Sequence, residues 1–147
     1  MEIAILGLGC FWGPEIKFSK LDGIIKTEVG YCGGNSSETT YKEVCTGTTN
    51  HAEVVKLDFD HKIISYEEVL KYFFKIHDPT TLNSQGPDFG TQYRSEIFYF
   101  NDQQKEISEK IIKEENIKFS GKIETKVSLV KNYCPAEEYH QKYLEKR

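Results

Sequence analysis

One stretch constrains the fold of this chain more than any other. The run Ile3-Ala4-Ile5-Leu6-Gly7-Leu8 is followed at once by Gly9-Cys10-Phe11-Trp12-Gly13-Pro14-Glu15. A short unbroken apolar run reads as a buried central strand. A glycine on each side of the Cys-Phe-Trp triplet permits a tight turn and the close approach of a ligand. Pro14 suits the first turn of a helix. Phe11, Pro14, Phe18 and Leu21 then recur at helical spacing until Asp22-Gly23 stops the pattern. The sequence therefore predicts strand, turn and helix, with Cys10 on the turn. There the thiol lies beside unpaired backbone N–H groups and the positive end of a helix macrodipole. Both favour thiolate over thiol, and the thiolate is the nucleophile. A buried cysteine acting as a small hydrophobe is the bland alternative. The glycine-flanked setting favours a nucleophile in a redox or acyl-transfer enzyme.

Strand and helix patterns alternate along the rest of the chain. Ile25, Thr27, Val29 and Tyr31 alternate as a strand. Residues 30–37, rich in Gly, Asn and Ser, read as a loop, and 40–45 as a short helix. Residues 52–60 alternate as a strand. Ser65-Tyr66-Glu67-Glu68 is a capping box, opening a helix with Tyr66, Val69, Leu70, Phe73 and Phe74 as its buried stripe. The polar segment 80–93, with Gly86, Pro87 and Gly90, is long enough for its loop to be functional. Residues 95–100 read as a strand. Asn101 caps a helix to about Asn116, 123–129 alternate as a last strand, and Pro135 opens a final short helix. This order predicts one domain of α/β or α+β sandwich architecture.

Several function classes drop out. A net charge of -4 argues against nucleic acid as the main partner. No apolar run approaches the roughly 20 residues of a membrane span. A strand-like run directly after Met1, with no basic region and no cleavage site, points to a cytoplasmic protein. There the 4 cysteines (Cys10, Cys32, Cys45 and Cys134) are expected to be free or catalytic rather than a disulfide framework. Cys32, Cys45, His51 and His61 form no close zinc-ligand pair, so no metal is expected. No Walker or dinucleotide glycine fingerprint is present, so no nucleotide cofactor is expected either.

Three further groups of residues accompany Cys10. In His51-Ala52-Glu53-Val54, at a strand start, an inward Glu53 would have a raised pKa and suit a general acid; the alternative is an exposed strand-end glutamate. His51 could serve Cys10 as a base, making a Cys–His dyad of a hydrolase or acyltransferase. The dense polar run Asp88-Phe89-Gly90-Thr91-Gln92-Tyr93-Arg94-Ser95 either lines a site or caps its own backbone. Tyr41, in Thr39-Thr40-Tyr41, offers both apolar surface and an O–H donor. A non-enzymatic redox sensor built on Cys10 is a third reading.

Taken together, these residues resemble the A-type peptide-methionine (S)-S-oxide reductases. The matching positions are Gly9 to Gly13 with Glu15, Gly30-Tyr31 with Gly33-Gly34, Thr40-Tyr41 with Glu43-Val44-Cys45 and Gly47, and His51-Ala52-Glu53-Val54. They continue through His77-Asp78-Pro79, Asp88, Gly90 to Ser95, and Ala136-Glu137 with His140-Gln141 and Tyr143-Leu144. The match covers nearly the whole chain in the family's order. The resemblance implies a two-layer α/β sandwich with a ferredoxin-like core and a mixed sheet flanked by helices, with residues 1–147 forming a single catalytic domain.

The resemblance also implies roles. Cys10 would attack the sulfoxide sulfur and become a sulfenic acid, and Glu53 would protonate the sulfoxide oxygen. Tyr41 and Tyr93 would hydrogen-bond that oxygen, Phe11 and Trp12 would cup the S-methyl group, and Asp88 would orient the site. The partners implied are oxidised methionine in proteins or peptides and a reductant such as thioredoxin, glutaredoxin or a small thiol. Many relatives carry a Gly/Cys-rich tail with recycling cysteines, which this sequence lacks after Tyr143-Leu144. Cys134 and then Cys32 are the internal candidates to resolve the sulfenic acid, with direct attack by an external thiol as the other route.

Overall fold

The computed structural model describes residues 2–144. In chain order these form β1 (Glu2–Leu8), α1 (Trp12–Ser19), β2 (Ile24–Cys32), α2 (Tyr41–Cys45), β3 (Ala52–Phe59), α3 (Tyr66–Lys75), β4 (Ser84–Gln85) and β5 (Asp88–Phe89). A 3-10 turn (Thr91–Tyr93), β6 (Ser95–Tyr99), α4 (Asp102–Lys118), β7 (Lys126–Leu129), β8 (Cys134–Pro135) and a second 3-10 turn (Glu138–His140) follow.

The apolar run at the start forms an inner strand, with every residue from Ala4 to Leu8 buried. The main sheet has the order β7-β6-β1-β3-β2-β8, antiparallel except for the β6–β7 pair. Its inner four strands, with α1 after β1 and α3 after β3, trace the βαββαβ path of a ferredoxin-like core.

Strand alternation sorts the side chains into two faces. Leu6, Leu8, Val29, Tyr31, Val55 and Leu57 point to one face, where they meet Phe18 of α1, Val69, Leu70 and Phe73 of α3, and Ile111 of α4. Ile5, Cys32, Ala52, Val54 and Phe98 form a smaller cluster on the other, with Val130 and Tyr133 packed against it. The helices thus lie on one face, giving two layers.

Local signals set most boundaries. Ser65 and Glu68 make the reciprocal capping box, a cap worth about 1 kcal/mol. Asn101 caps α4 by accepting from the Gln104 N–H. Two expectations need correction. Pro135 opens no helix: it pairs with Gly30 at the sheet edge, where its missing N–H costs nothing, and the helical turn waits until Glu138. The strand expected over 123–129 is shorter, because the Ile123 N–H is held by the Asn116 side chain and only 126–129 pair with β6. Among the described residues no helix is long and apolar enough to cross a membrane.

Candidate active site

Cys10 sits between β1 and α1, on the turn the sequence predicts. Gly9 there has φ +96°, and a Cβ on it would come within 2.8 Å of the Gln85 side chain. Gly13 has no such constraint, since a Cβ there would meet no atom within 4 Å. Gln85 also bridges back to Asp78, accepting its N–H at 2.9 Å and donating to its carbonyl at 2.7 Å. His77 anchors the same segment: its half-buried ring meets the Phe73 carbonyl at 2.6 Å and Ser95 Oγ at 2.8 Å. Burial pushes its pKa down to about 4. The His77-Asp78-Pro79 run therefore has a structural use. It ties the β4–β5 hairpin, and with it Asp88, to the cysteine turn.

Glu53 points inward from the second position of β3, opposite Tyr31 of β2, and is 1% exposed. Its Oε1 accepts the Phe11 N–H at 3.3 Å, the amide one residue beyond Cys10. Its Oε2 is buried with no protein partner among the described residues. Burial raises the carboxyl from its ordinary 4.5 to about 8; the Phe11 N–H opposes the shift and Asp88 adds to it. Glu53 is therefore protonated at neutral pH, and Oε2 is free to hold that proton toward an incoming acceptor.

The cysteine departs from expectation. Burial raises Cys10 to about 11, and the hydrogen bond from the Trp12 backbone only partly offsets it. The charges of Glu53, Asp88 and Cys45 raise it further. The helix-start effect is present, but desolvation outweighs it, so the resting group is a neutral thiol.

Tyr41 and Tyr93 complete the polar side. Thr40 caps α2 by accepting the Glu43 N–H, setting Tyr41 on its first turn. Tyr93 ends the first 3-10 turn. The two phenols and the Cys45 thiol are close enough to shift one another's titration. Burial raises both, Tyr93 to about 12, so they stay protonated donors. Asp88 acts on both Cys10 and Glu53 through its charge.

The apolar wall comes from Phe11 and Trp12. Phe11 is buried, its ring centroid 5.8 Å from Tyr31 and 6.4 Å from Tyr41. Trp12 is half-buried and stacks on Tyr143 at 4.0 Å and 15°. Of the residues expected from the sequence, Glu53 and Asp88 act on Cys10 through their charge, Phe11 and Trp12 follow it directly in the chain, and Tyr41 and Tyr93 lie within reach of the Glu53 charge.

Other candidates stay outside. The His51 ring lies against Gly34, with Nε2 at 2.8 Å from the Ser36 carbonyl, and is absent from the groups acting on Cys10. No Cys10–His51 dyad is built. Cys32 belongs to the cluster on the opposite sheet face from Phe11 and Tyr31, bonded to the Lys131 carbonyl. Cys134 lies on the near face, with its thiol on the Thr39 and Pro135 carbonyls. Cys45, given no role from sequence, is the other thiol whose charge reaches Cys10.

Glu137 also joins the site without a predicted role. It accepts the Tyr31 phenol at 2.8 Å and the Tyr41 N–H at 3.0 Å, fixing the start of α2. No spacing rule links residues so far apart in the chain. The signal was the short run Ala136-Glu137 itself.

Known proteins match this arrangement over the whole chain. A family model described as peptide methionine sulfoxide reductase matches residues 2–147. The chain is 79% identical over 147 residues to the peptide methionine sulfoxide reductase MsrA of Pelagibacter ubique, covering 100% of both. The structure superposes on Mxr1 from Saccharomyces cerevisiae in reduced form with a TM-score of 0.96 at 44% identity, covering 99% of this chain and 85% of that one. It superposes on Mxr1 in complex with Trx2 with a TM-score of 0.70 at 29% identity, covering 97% and 84%.

Proposed function

The chain belongs to the peptide methionine sulfoxide reductase family, and we propose that the residues converging on Cys10 carry out the reduction in one catalytic domain. The enzyme reduces methionine sulfoxide to methionine at the expense of thiols. What supports the residue roles best is a single observation: the buried, protonated Glu53 carboxyl bonds the backbone beside Cys10 and keeps one oxygen unpaired.

The sulfoxide oxygen is a poor leaving group until protonated. It accepts hydrogen bonds from Tyr41, Tyr93 and Glu53 Oε2 while Phe11 and Trp12 enclose the methyl group. The Cys10 sulfur then bonds to the sulfoxide sulfur. Glu53 delivers its proton to the oxygen and takes up the proton released by the thiol, so the carboxyl ends neutral. The hydroxyl passes to the Cys10 sulfur as the bond between the two sulfurs breaks. Methionine leaves, and Cys10 is left as a sulfenic acid. Two electrons have moved from the cysteine sulfur to the methionine sulfur. This sequence needs no resting thiolate, in keeping with the raised Cys10 pKa. The methyl cup and the oxygen donors fix two substituents of a stereogenic sulfur. Only one epimer satisfies both, which we assign as S.

An external thiol closes the cycle. It attacks the sulfenic sulfur and releases water; a second thiol then displaces Cys10 and leaves as disulfide. Mxr1 has been captured with Trx2, and we assign a thioredoxin-like dithiol the same use here. Supporting this route, Cys32 faces away and the Cys134 thiol is bonded to carbonyls. All 4 cysteines are free thiols, in keeping with a reducing, cytoplasmic setting.

Mass spectrometry after one turnover without reductant tests the function and its recycling together. The expected result is one equivalent of methionine and a sulfenic acid on Cys10 that a small dithiol reduces. No methionine would reject the activity. A Cys10–Cys134 disulfide would make Cys134 the resolving residue and overturn the external route.

A further inference from the structure

Trp12 is held by one polar contact: its indole N–H donates to His140 Nδ1 at 3.1 Å. The two rings are 5.7 Å apart and inclined by 30°. His140 ends the second 3-10 turn, 128 residues away in sequence, and is 3% exposed. Its ring also packs on Phe11 at 5.4 Å, Tyr41 at 4.5 Å and Tyr139 at 4.2 Å. It therefore touches both apolar walls of the proposed substrate cup and one of its phenols.

The contact fixes the state of the imidazole. An indole N–H is a donor only, so Nδ1 must present its lone pair and the ring proton must sit on Nε2. Nε2 is buried and has no acceptor among the described residues. A buried donor left unpaired is costly, so an apolar ring would pack there more cheaply. The Nδ1 lone pair is what distinguishes histidine at this position. Protonation would place a second N–H against the indole N–H and break the contact. The titratable groups facing the ring are Glu137, on its own segment, and the phenols of Tyr41 and Tyr139. Burial keeps the ring neutral, lowering its pKa against the pull of Glu137.

We propose that His140 is a positioning residue for the reaction: as a neutral imidazole it accepts the Trp12 N–H and holds the indole as a wall of the methyl cup. The proposal rests on the reading of Trp12 as part of that cup. His140→Phe keeps an aromatic ring and removes the acceptor; His140→Asn keeps an acceptor near the Nδ1 position. Loss of one such hydrogen bond is worth about 1.4 kcal/mol, or about tenfold in affinity. His140→Phe is therefore expected to raise KM for methionine sulfoxide about tenfold while kcat changes less. His140→Asn is expected to restore KM most of the way.

Trp12 is the only tryptophan in the chain, so its fluorescence reports the contact directly. In the unaltered enzyme it should change on acidification, at a pH below the ordinary histidine range, and that step should be absent from both variants. Trp12→Ala, measured alongside, separates the two readings. If it leaves KM unchanged, the cup assignment fails. If it raises KM while His140→Phe does not, the cup stands and the role of His140 is overturned. An unaltered enzyme whose Trp12 fluorescence shows no acid step also overturns it, with no variant needed.

Discussion

Replacing Cys10 by serine should abolish methionine formation, with a loss on the order of 10⁶-fold, the scale on which removal of a covalent nucleophile is felt. The substitution changes one atom on a half-buried turn residue outside the packed core. Fold and substrate binding should survive it. The alcohol oxygen is a weak nucleophile toward sulfur, and His51, engaged with the Ser36 carbonyl, is not placed to activate it. Nor can serine accept the hydroxyl to become a sulfenic acid. The measurement is methionine formed with dithiothreitol as reductant. A variant retaining more than a few per cent of the activity would move the nucleophile elsewhere.

Replacing Glu53 by glutamine should cost about 10²–10⁴-fold in kcat/KM, or about 2.7–5.4 kcal/mol of transition-state stabilisation. Glutamine has nearly the same shape, and its amide oxygen can still accept the Phe11 N–H that Glu53 holds at 3.3 Å. It can donate a hydrogen bond to the sulfoxide oxygen but cannot transfer a proton or take one from the thiol. The loss should fall on kcat more than on KM, because the proton moves only in the transition state. A Cys10–His51 dyad would give the reverse ranking, with His51→Ala inactive and Glu53→Gln tolerated.

The raised carboxyl also has a stability consequence of fixed sign. Glu53 holds its proton more tightly in the folded chain, near 8, than at its ordinary 4.5. Between these values the folded state binds more protons, so stability falls as pH rises. Glu53→Gln removes that dependence and should make the fold less sensitive to alkaline pH while disabling it as a catalyst.

The architecture was legible where local patterns are strong. The apolar run at 3–8, the capping box at Ser65 and the Asn101 cap each coincide with an element boundary or an inner strand. The signal failed at the C-terminal end, where Pro135 pairs with Gly30 of β2. Such a contact depends on where the chain returns to the sheet, and no local pattern encodes it. The same holds within the site. Cys10, Phe11 and Trp12 were readable from one turn; the place of Glu53 at a strand start fitted an exposed carboxylate as well, and its expected role came from the family resemblance. The inversion of the Cys10 pKa was not, because desolvation depends on what the fold stacks over the thiol. The roles of Glu137 and His140 are long-range as well, arising from hydrogen bonds to Tyr41 and Trp12.

The carboxyl state of Glu53 is the point on which the mechanism turns, and infrared difference spectroscopy reads it directly. With Glu53→Gln as the reference, the carbonyl stretch of one protonated carboxyl should persist through neutral pH and vanish as pH rises past about 8. A Glu53 band already lost in the ordinary carboxylate range would mean an ionised group facing the sulfoxide oxygen, and would contradict its assignment as the proton donor.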